Sequence, residues 1–172
     1  MRRIRLALLA IPFTVLAILG VGRPPASPQT AIDIQIVRYS ELARRIKDQH
    51  GRVVVVDFWA DYCAPCKREF PKLVALHQKY AAGGLTAISV SLDDVVDDEA
   101  VERVRRFLAA QRASFANYML NEKPEFWQAK LNIDGPPCVF IFNRRGELVR
   151  KFHDDVDYSE IERLVTEALK QE

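Results

Sequence analysis

Apolar and polar positions along the chain follow two periods, one typical of strands and one typical of helices. Residues 53–58 form an almost unbroken run of apolar, mostly β-branched side chains, which is typical of a strand buried on both faces. Further on, apolar and aromatic residues recur at helical spacing: Phe70, Leu73, Val74, His77 and Tyr80. The pattern therefore predicts a buried strand that leads, through one short turn, into a helix.

The same periods predict the elements of the rest of the chain. Strands are predicted near residues 32–36, where isoleucines alternate with polar residues, and over 85–91, 115–120, 138–142 and 147–152. A helix with Ser40 as its N-cap is predicted over 40–49. Three further helices are predicted: one that follows an acid-rich loop and ends near residue 112, one over 124–130, and one that begins at residue 159. This order predicts an α/β fold, a central mixed sheet with helices on both faces.

The N-terminal segment has a different pattern from the rest. Arg2, Arg3 and Arg5 precede an apolar run that ends at Gly22, about the shortest length that spans a bilayer. Residues 1–22 are therefore predicted to be a signal-anchor that places the rest of the chain outside the cytoplasm; a cleaved signal peptide is the alternative. Residues 23–30 are proline-rich and predict an extended spacer, and the folded domain is expected over 31–172.

Composition excludes one class of function. The 172 residues are 49% hydrophobic and carry a formal net charge of +2, which suits one globular domain. Four of the 25 basic residues and none of the 23 acids lie in residues 1–30, which leaves 21 bases against 23 acids for the domain. The domain therefore has no basic surface that would favour nucleic acid.

The first candidate for chemistry is a pair of cysteines, Cys63 and Cys66, between the predicted buried strand and its helix. A sulfur at the N-terminus of a helix lies among unpaired backbone N–H groups, which favours the thiolate. Cys66, one turn later, is placed to form a disulfide with Cys63. The alternative, half of a structural zinc site, needs four ligands, and the chain offers 3 Cys and 3 His without a second pair.

Two motifs and a proline resemble the active site of the thioredoxin superfamily: Asp57-Phe58-Trp59-Ala60, Cys63-Ala64-Pro65-Cys66-Lys67, and Pro71. The resemblance covers roughly residues 35–170. It implies a thioredoxin-like fold in which Cys63 is the nucleophile and Cys66 resolves the mixed disulfide. A strand–helix unit between about 98 and 131, together with Glu69, resembles the membrane-anchored TlpA/ResA branch, whose members reduce or shuttle disulfides outside the cytoplasm.

Asp57 is the third candidate catalytic residue. It comes at the end of a buried strand, where an unpaired carboxylate is costly, so its pKa is expected to be raised. The resemblance implies that Asp57 exchanges a proton with Cys66. The alternative is that Asp57 simply accepts a hydrogen bond from a nearby backbone group.

A second set of residues is expected to contact the substrate: Trp59, Tyr62, Ala64, Pro65, Pro136 and Pro137. Gly135-Pro136-Pro137 is similar to the family's Gly-x-cisPro, which implies a cis bond at Pro137 beside the disulfide. In the family, the residue before the cis proline binds an extended peptide through its backbone. Pro136 has no N–H, so weaker or narrower peptide binding is expected. Packing is the alternative role for Trp59 and Tyr62.

Cys138 follows this proline pair, where relatives devoted to cytochrome c maturation carry a glutamate, and this departure counts against that pathway. One interpretation of Cys138 is a small buried apolar residue at the start of a strand. The other is a third thiol near Cys63 and Cys66, able to form an alternative disulfide or to complete a soft-metal site.

These observations predict a thiol-disulfide oxidoreductase that acts outside the cytoplasm, periplasmic or otherwise extracytoplasmic, and held at the membrane by its N-terminal segment. It would act on protein dithiols or disulfides with a separate electron donor and would need no cofactor or metal. The alternatives are a copper-binding thioredoxin-like protein and, less favoured because Ala60 replaces a required Thr or Ser, a peroxiredoxin. The residues between the cysteines do not distinguish a reductant from an oxidant.

Overall fold

The computed structural model describes residues 32–171 of the chain. Five helices and six strands follow one another in these residues. They are β1 (Ile34–Val37), α1 (Tyr39–Lys47), β2 (Val53–Trp59), α2 (Ala64–Tyr80), β3 (Leu85–Ser91), α3 (Asp98–Gln111), β4 (Ala116–Leu120), α4 (Pro124–Leu131), β5 (Cys138–Phe142), β6 (Leu148–His153) and α5 (Tyr158–Lys170). A short 3-10 turn, Ala81–Gly83, separates α2 from β3.

The six strands form one sheet in the order β1-β4-β3-β2-β5-β6. The pairs β1–β4, β4–β3 and β3–β2 are parallel, and the pairs β2–β5 and β5–β6 are antiparallel. The prediction of a mixed sheet is confirmed. β4 lies between β1 and β3, so the strand of the predicted inserted unit is part of the sheet itself.

Helices cover both faces of the sheet, as predicted, and the protein therefore has two hydrophobic cores. Because successive side chains of a strand point to opposite faces, Val53 and Val55 lie in one core and Val54 and Val56 lie in the other. The first core includes side chains of α2, α3 and α5, and the second includes side chains of α1 and α4. With both faces covered, every residue of β2 is buried, which is why its sequence is apolar without alternation.

The prediction that Ser40 caps α1 is wrong. The helix begins at Tyr39, its N-cap is Arg38, and no side chain of the N-cap residue accepts a bond from the first turn. Instead the carboxylate of Glu122, which follows β4, accepts a hydrogen bond from the Tyr39 N–H at 3.1 Å. A distant residue thus satisfies a backbone donor that a local cap would otherwise satisfy.

The alternation predicted near residues 32–36 is only partly present. Ile32 and Ile34 pack against the first core, whereas Ile36 is 50% exposed and the next residue, Val37, is buried in the second core. The strand pairs with β4 alone and forms an edge of the sheet, so Ile36 lacks a neighbouring strand on its outer side.

The predicted signal-anchor (1–22) and spacer (23–30) lie outside the described residues. Within residues 32–171, no helix combines the length and the apolar character needed to cross a bilayer.

Candidate active site

The two cysteines lie where the sheet passes into a helix, as the sequence predicts. Cys63 is the N-cap of α2 and Cys66 is in its first turn. They are joined by a disulfide with a Cα–Cα distance of 5.3 Å, and the Cys66 N–H donates to the Cys63 sulfur at 3.2 Å. The Cys63 sulfur therefore occupies the position at which a helix stabilises negative charge. This is the environment that lowers the pKa of a thiol and makes it a nucleophile.

Asp57 lies on β2 beneath this pair and is 4% exposed. Its carboxylate Oδ2 accepts a hydrogen bond from the hydroxyl of Tyr158, at 3.0 Å. Burial raises the pKa of Asp57 to about 7, and the Tyr158 hydrogen bond opposes this rise. The raised pKa is as predicted. The alternative role, capping a backbone group, is wrong, because within residues 32–171 the carboxylate has a side-chain hydroxyl as its partner.

A cavity of about 400 Å³ connects Asp57 with the second cysteine. Asp57, Cys66, Pro137 and Tyr158 are among its lining residues. We therefore expect this shared cavity to allow proton transfer between the Asp57 carboxylate and the Cys66 thiol. An acid with a pKa near neutrality is suited to such a transfer.

Tyr158 was not among the residues found from the sequence. It is the first residue of α5 and lies 101 positions from Asp57 along the chain. A single tyrosine at a helix start matches no motif. Only the packing of α5 against β2 reveals its contact with the active site.

The residues predicted to contact the substrate divide into two groups. Tyr62 is 70% exposed, Ala64 and Pro65 are also exposed, and Pro136 and Pro137 are half-buried. The peptide bond between Pro136 and Pro137 is cis. Those five side chains are thus at or near the surface around the disulfide.

Trp59 does not belong to this surface, and its prediction as a substrate-contacting residue is wrong. It is fully buried in the first core. Its ring packs against Phe70 and Phe107, with ring centres 5.3 and 4.8 Å apart. Because Trp59 is the last residue of a strand buried on both faces, its side chain points into the sheet–helix core. The packing role is the one confirmed.

A network of charged residues fixes the loop that carries Cys63. The Asp93 carboxylate accepts from the Asp61 N–H and the Ser91 hydroxyl, both at 2.8 Å. The Asp61 carboxylate in turn pairs with Lys67 at 2.8 Å and Arg103 at 3.1 Å. The loop is therefore held from β3 and from α3. The ammonium of Lys67, adjacent to Cys66, is directed to Asp61.

Cys138 is on the other side of the sheet from the disulfide. Its Cα pairs with that of Phe58, and its side chain is fully buried in the second core, whereas Cys63 and Cys66 belong to the first. Burial raises the pKa of the Cys138 thiol to about 12. The interpretation as a buried apolar residue is confirmed. A site that uses all three sulfurs, whether an alternative disulfide or a copper site, is not formed in this fold.

Comparisons with known proteins agree with this geometry. The family model described as "Thioredoxin-like" matches residues 51–148, from the loop before β2 to the start of β6. Thioredoxin-like protein YneN of Bacillus subtilis is 27% identical over 118 residues, which cover 69% of this chain and 66% of that protein. Thiol-disulfide oxidoreductase ResA of Oceanobacillus iheyensis is 33% identical over 78 residues, which cover 42% of this chain and 41% of that protein. The match therefore spans less than two thirds of each of these relatives.

A similar solved structure is that of a Chlorobium tepidum protein that carries the name thiol:disulfide interchange protein DsbE. It is 28% identical to this chain, with a TM-score of 0.59 over 71% of this chain and 83% of that one.

Proposed function

The chain belongs to the thioredoxin-like family, and from that premise we propose that it is a thiol-disulfide oxidoreductase with Cys63 and Cys66 as its redox couple. The observation that carries the proposal is the position of this pair, with the first sulfur at the N-terminus of α2. A disulfide buried for stability alone would need neither a helix dipole at one sulfur nor a carboxyl that titrates near neutrality in the cavity that the other cysteine lines.

The reaction proceeds in two exchanges. The Cys63 thiolate attacks a substrate disulfide, forms a mixed disulfide with one substrate sulfur, and displaces the other as a thiolate, which takes up a proton. The Cys66 thiol then gives its proton to the Asp57 carboxylate and attacks the Cys63 sulfur. The Cys63–Cys66 disulfide forms and the second substrate thiolate leaves with a proton.

Two electrons pass from the protein to the substrate in this sequence. The resulting disulfide form, which is the form of this structure, needs a separate dithiol donor to return to the reduced state. The reverse sequence oxidises a substrate dithiol with the same groups.

The surface around the disulfide supports a protein or peptide substrate. Tyr62, Ala64 and Pro65 are exposed on one side of the disulfide, and Pro136 and Pro137 are half-buried. We expect an extended peptide to lie against the proline pair. Because Pro136 has no N–H, such a peptide loses one main-chain hydrogen bond, which favours weak or selective binding.

The site of action is proposed to be outside the cytoplasm. Three arginines followed by an apolar run in residues 1–22 support an N-terminal signal-anchor, and the proline-rich residues 23–30 support a spacer that keeps the domain at a distance from the bilayer. In an extracytoplasmic compartment a disulfide oxidoreductase meets protein disulfides as substrates.

Trapping of the mixed disulfide tests the proposal. In Cys66→Ser the resolving thiol is absent, so a disulfide peptide is expected to accumulate on Cys63 as a stable adduct detectable by mass spectrometry. Cys63→Ser is expected to lose more than about 99% of the reductase rate, because removal of a covalent nucleophile leaves no alternative route.

Cys138→Ala is the matched control, since it removes the remaining cysteine, whose side chain lies in the second core and not with the disulfide, and it should retain the rate of the parent protein. Full reductase activity in Cys63→Ser, or an adduct on Cys138 instead of Cys63, would contradict the proposal.

A further inference from the structure

Among the residues that the structure describes, Tyr158 is a buried titratable side chain that is hydrogen-bonded to the proposed catalytic acid and has no role in the mechanism above. The tyrosine is 6% exposed, and its hydroxyl lies 3.0 Å from Asp57 Oδ2. Burial, with the nearby Asp57 charge, raises the pKa of Tyr158 well above its ordinary value. The phenol therefore stays protonated and acts as a donor to the carboxylate throughout the pH range in which Asp57 titrates.

We propose that Tyr158 is a positioning residue for the resolving step: its hydroxyl holds the Asp57 carboxylate in the cavity shared with Cys66 and favours the charged form that accepts the Cys66 proton. This inference rests on the proposed function. Tyr158 would then be a residue of the active site that belongs to α5, a helix in which the sequence motifs identify no site residue.

The physical basis is the difference between the two forms of Asp57. A buried carboxylate without a hydrogen-bond donor is strongly disfavoured, whereas the neutral carboxyl tolerates burial. A hydrogen bond from a neutral hydroxyl stabilises the charged form more than the neutral one. Removal of the hydroxyl should therefore make Asp57 hold its proton more tightly, and a larger share of the protein would be unable to deprotonate Cys66 at neutral pH.

Tyr158 is held in place independently of this hydrogen bond. Its ring belongs to the first core, and the preceding residue, Asp157, caps α5 by accepting from the Ser159 N–H at 2.8 Å. Phenylalanine at position 158 would keep the ring packing and the cap. Tyr158→Phe thus removes the donor and little else.

Other charged or titratable groups face the same cavity as Asp57 or lie near it, and each remains in that variant. Those of α2 that line the cavity are Cys66, Arg68, Glu69 and Lys72. The loop before α5 contributes Asp154, Asp155 and Asp157. On β5, the buried Cys138 interacts with Asp57. Because all of these groups are the same in the parent protein and in Tyr158→Phe, a change in the pH dependence of the resolving step can be assigned to the Tyr158 hydroxyl.

The experiment follows the resolving step as a function of pH. Reduced protein is mixed with one equivalent of an aromatic disulfide that releases one coloured thiolate when Cys63 attacks and a second when Cys66 resolves the adduct. The rate of the second phase is expected to rise with pH around a midpoint near 7, the titration of Asp57. In Tyr158→Phe this midpoint should move up by about one pH unit, so that the second phase is about tenfold slower below the midpoint.

Tyr80→Phe is the matched control. The Tyr80 hydroxyl also donates to a carboxylate, that of Glu162 on α5, at 2.7 Å, but neither residue is among those that line the cavity with Asp57. Its midpoint should equal that of the parent protein. The double variant Asp57→Asn/Tyr158→Phe should behave as Asp57→Asn alone, since the hydroxyl acts through the carboxylate.

An unchanged midpoint in Tyr158→Phe overturns the inference, as does an equal shift in Tyr80→Phe. Failure of the proposed function looks different, because the parent protein would then release no thiolate through Cys63. A direct titration of the Asp57 carboxyl by carbon NMR in the oxidised proteins needs no turnover. An upward shift in Tyr158→Phe supports the inference there too, and identical titrations refute it.

Discussion

The burial of the Asp57 carboxyl has opposite effects on activity and on stability. Its position on a fully buried strand raises its pKa to about 7, which suits proton exchange with Cys66. The same burial penalises the charged form in the folded protein. In the unfolded chain the carboxyl has its ordinary pKa, near 3.8, so the folded state binds the proton more tightly than the unfolded state.

This difference fixes the sign of a stability change with pH. Between about pH 4 and pH 7 the unfolded chain has lost the Asp57 proton while the folded protein retains it, so the free energy of unfolding falls as pH rises through this window. Asp57→Asn removes the ionisation. We expect the variant to be as stable as the parent near pH 4 and more stable, by up to about 4 kcal/mol, above pH 7.

Urea denaturation of the oxidised proteins at several pH values measures this difference, and the disulfide form is chosen because Cys63 and Cys66 do not titrate in it. Asp134→Asn changes an exposed carboxylate and should leave the pH dependence as it is in the parent. A parent and an Asp57→Asn variant with parallel pH curves would contradict the raised pKa.

At the level of elements, a contact between residues distant in sequence determines how α1 begins. α1 has no local cap, and its first N–H is satisfied by Glu122, whose second carboxylate oxygen pairs with Arg38 at 3.2 Å. This contact joins α1 to the end of β4. A charged acceptor at a helix N-terminus also interacts favourably with the helix dipole.

Glu122→Ala should therefore lower the free energy of unfolding by about 1 kcal/mol, the usual loss when a helix cap is removed. Ser40→Ala, at the residue that the sequence predicts as the cap, should change it by less than about 0.5 kcal/mol, as for an ordinary surface substitution. Denaturant unfolding of both variants decides between the two residues. A larger loss in Ser40→Ala than in Glu122→Ala would refute the role given to Glu122.

The difference between local patterns and contacts between distant residues also explains what the sequence could and could not predict. β2, the turn that presents Cys63, and the burial of Asp57 follow from hydrophobic periodicity, which is a local property of the chain. The partner of Asp57 does not, because Tyr158 reaches it only once α5 has packed on the sheet. Trp59 was misassigned for a related reason: its position beside the active-site loop is visible in the sequence, but the direction of its side chain depends on the register of β2.

At the scale of the whole molecule, the active site and the contacts of Arg144 lie at opposite ends of the sheet. The active-site loop follows the C-terminal end of β2. At the N-terminal end of β2, the guanidinium of Arg144 in the β5–β6 turn donates to the carbonyl oxygens of Gly51 at 2.8 Å, Leu169 at 3.2 Å and Gly83 at 3.4 Å. One side chain thus links the hairpin, the α1–β2 loop, the turn after α2 and the end of α5.

Removal of this link should lower stability without changing chemistry. Arg144→Ala leaves three carbonyl oxygens without their charged donor, and we expect a loss of about 1 to 3 kcal/mol in the free energy of unfolding, because the site is only half-buried and water replaces part of the contact. Arg145→Ala, which breaks only an exposed pair with Glu147, should lower stability less than Arg144→Ala does, because solvent screens an exposed ion pair. Both variants should retain the parent's disulfide-exchange rate per folded molecule, measured below the unfolding transition. A slower rate in Arg144→Ala would mean that the two ends of the sheet are coupled, contrary to the independence that this arrangement predicts.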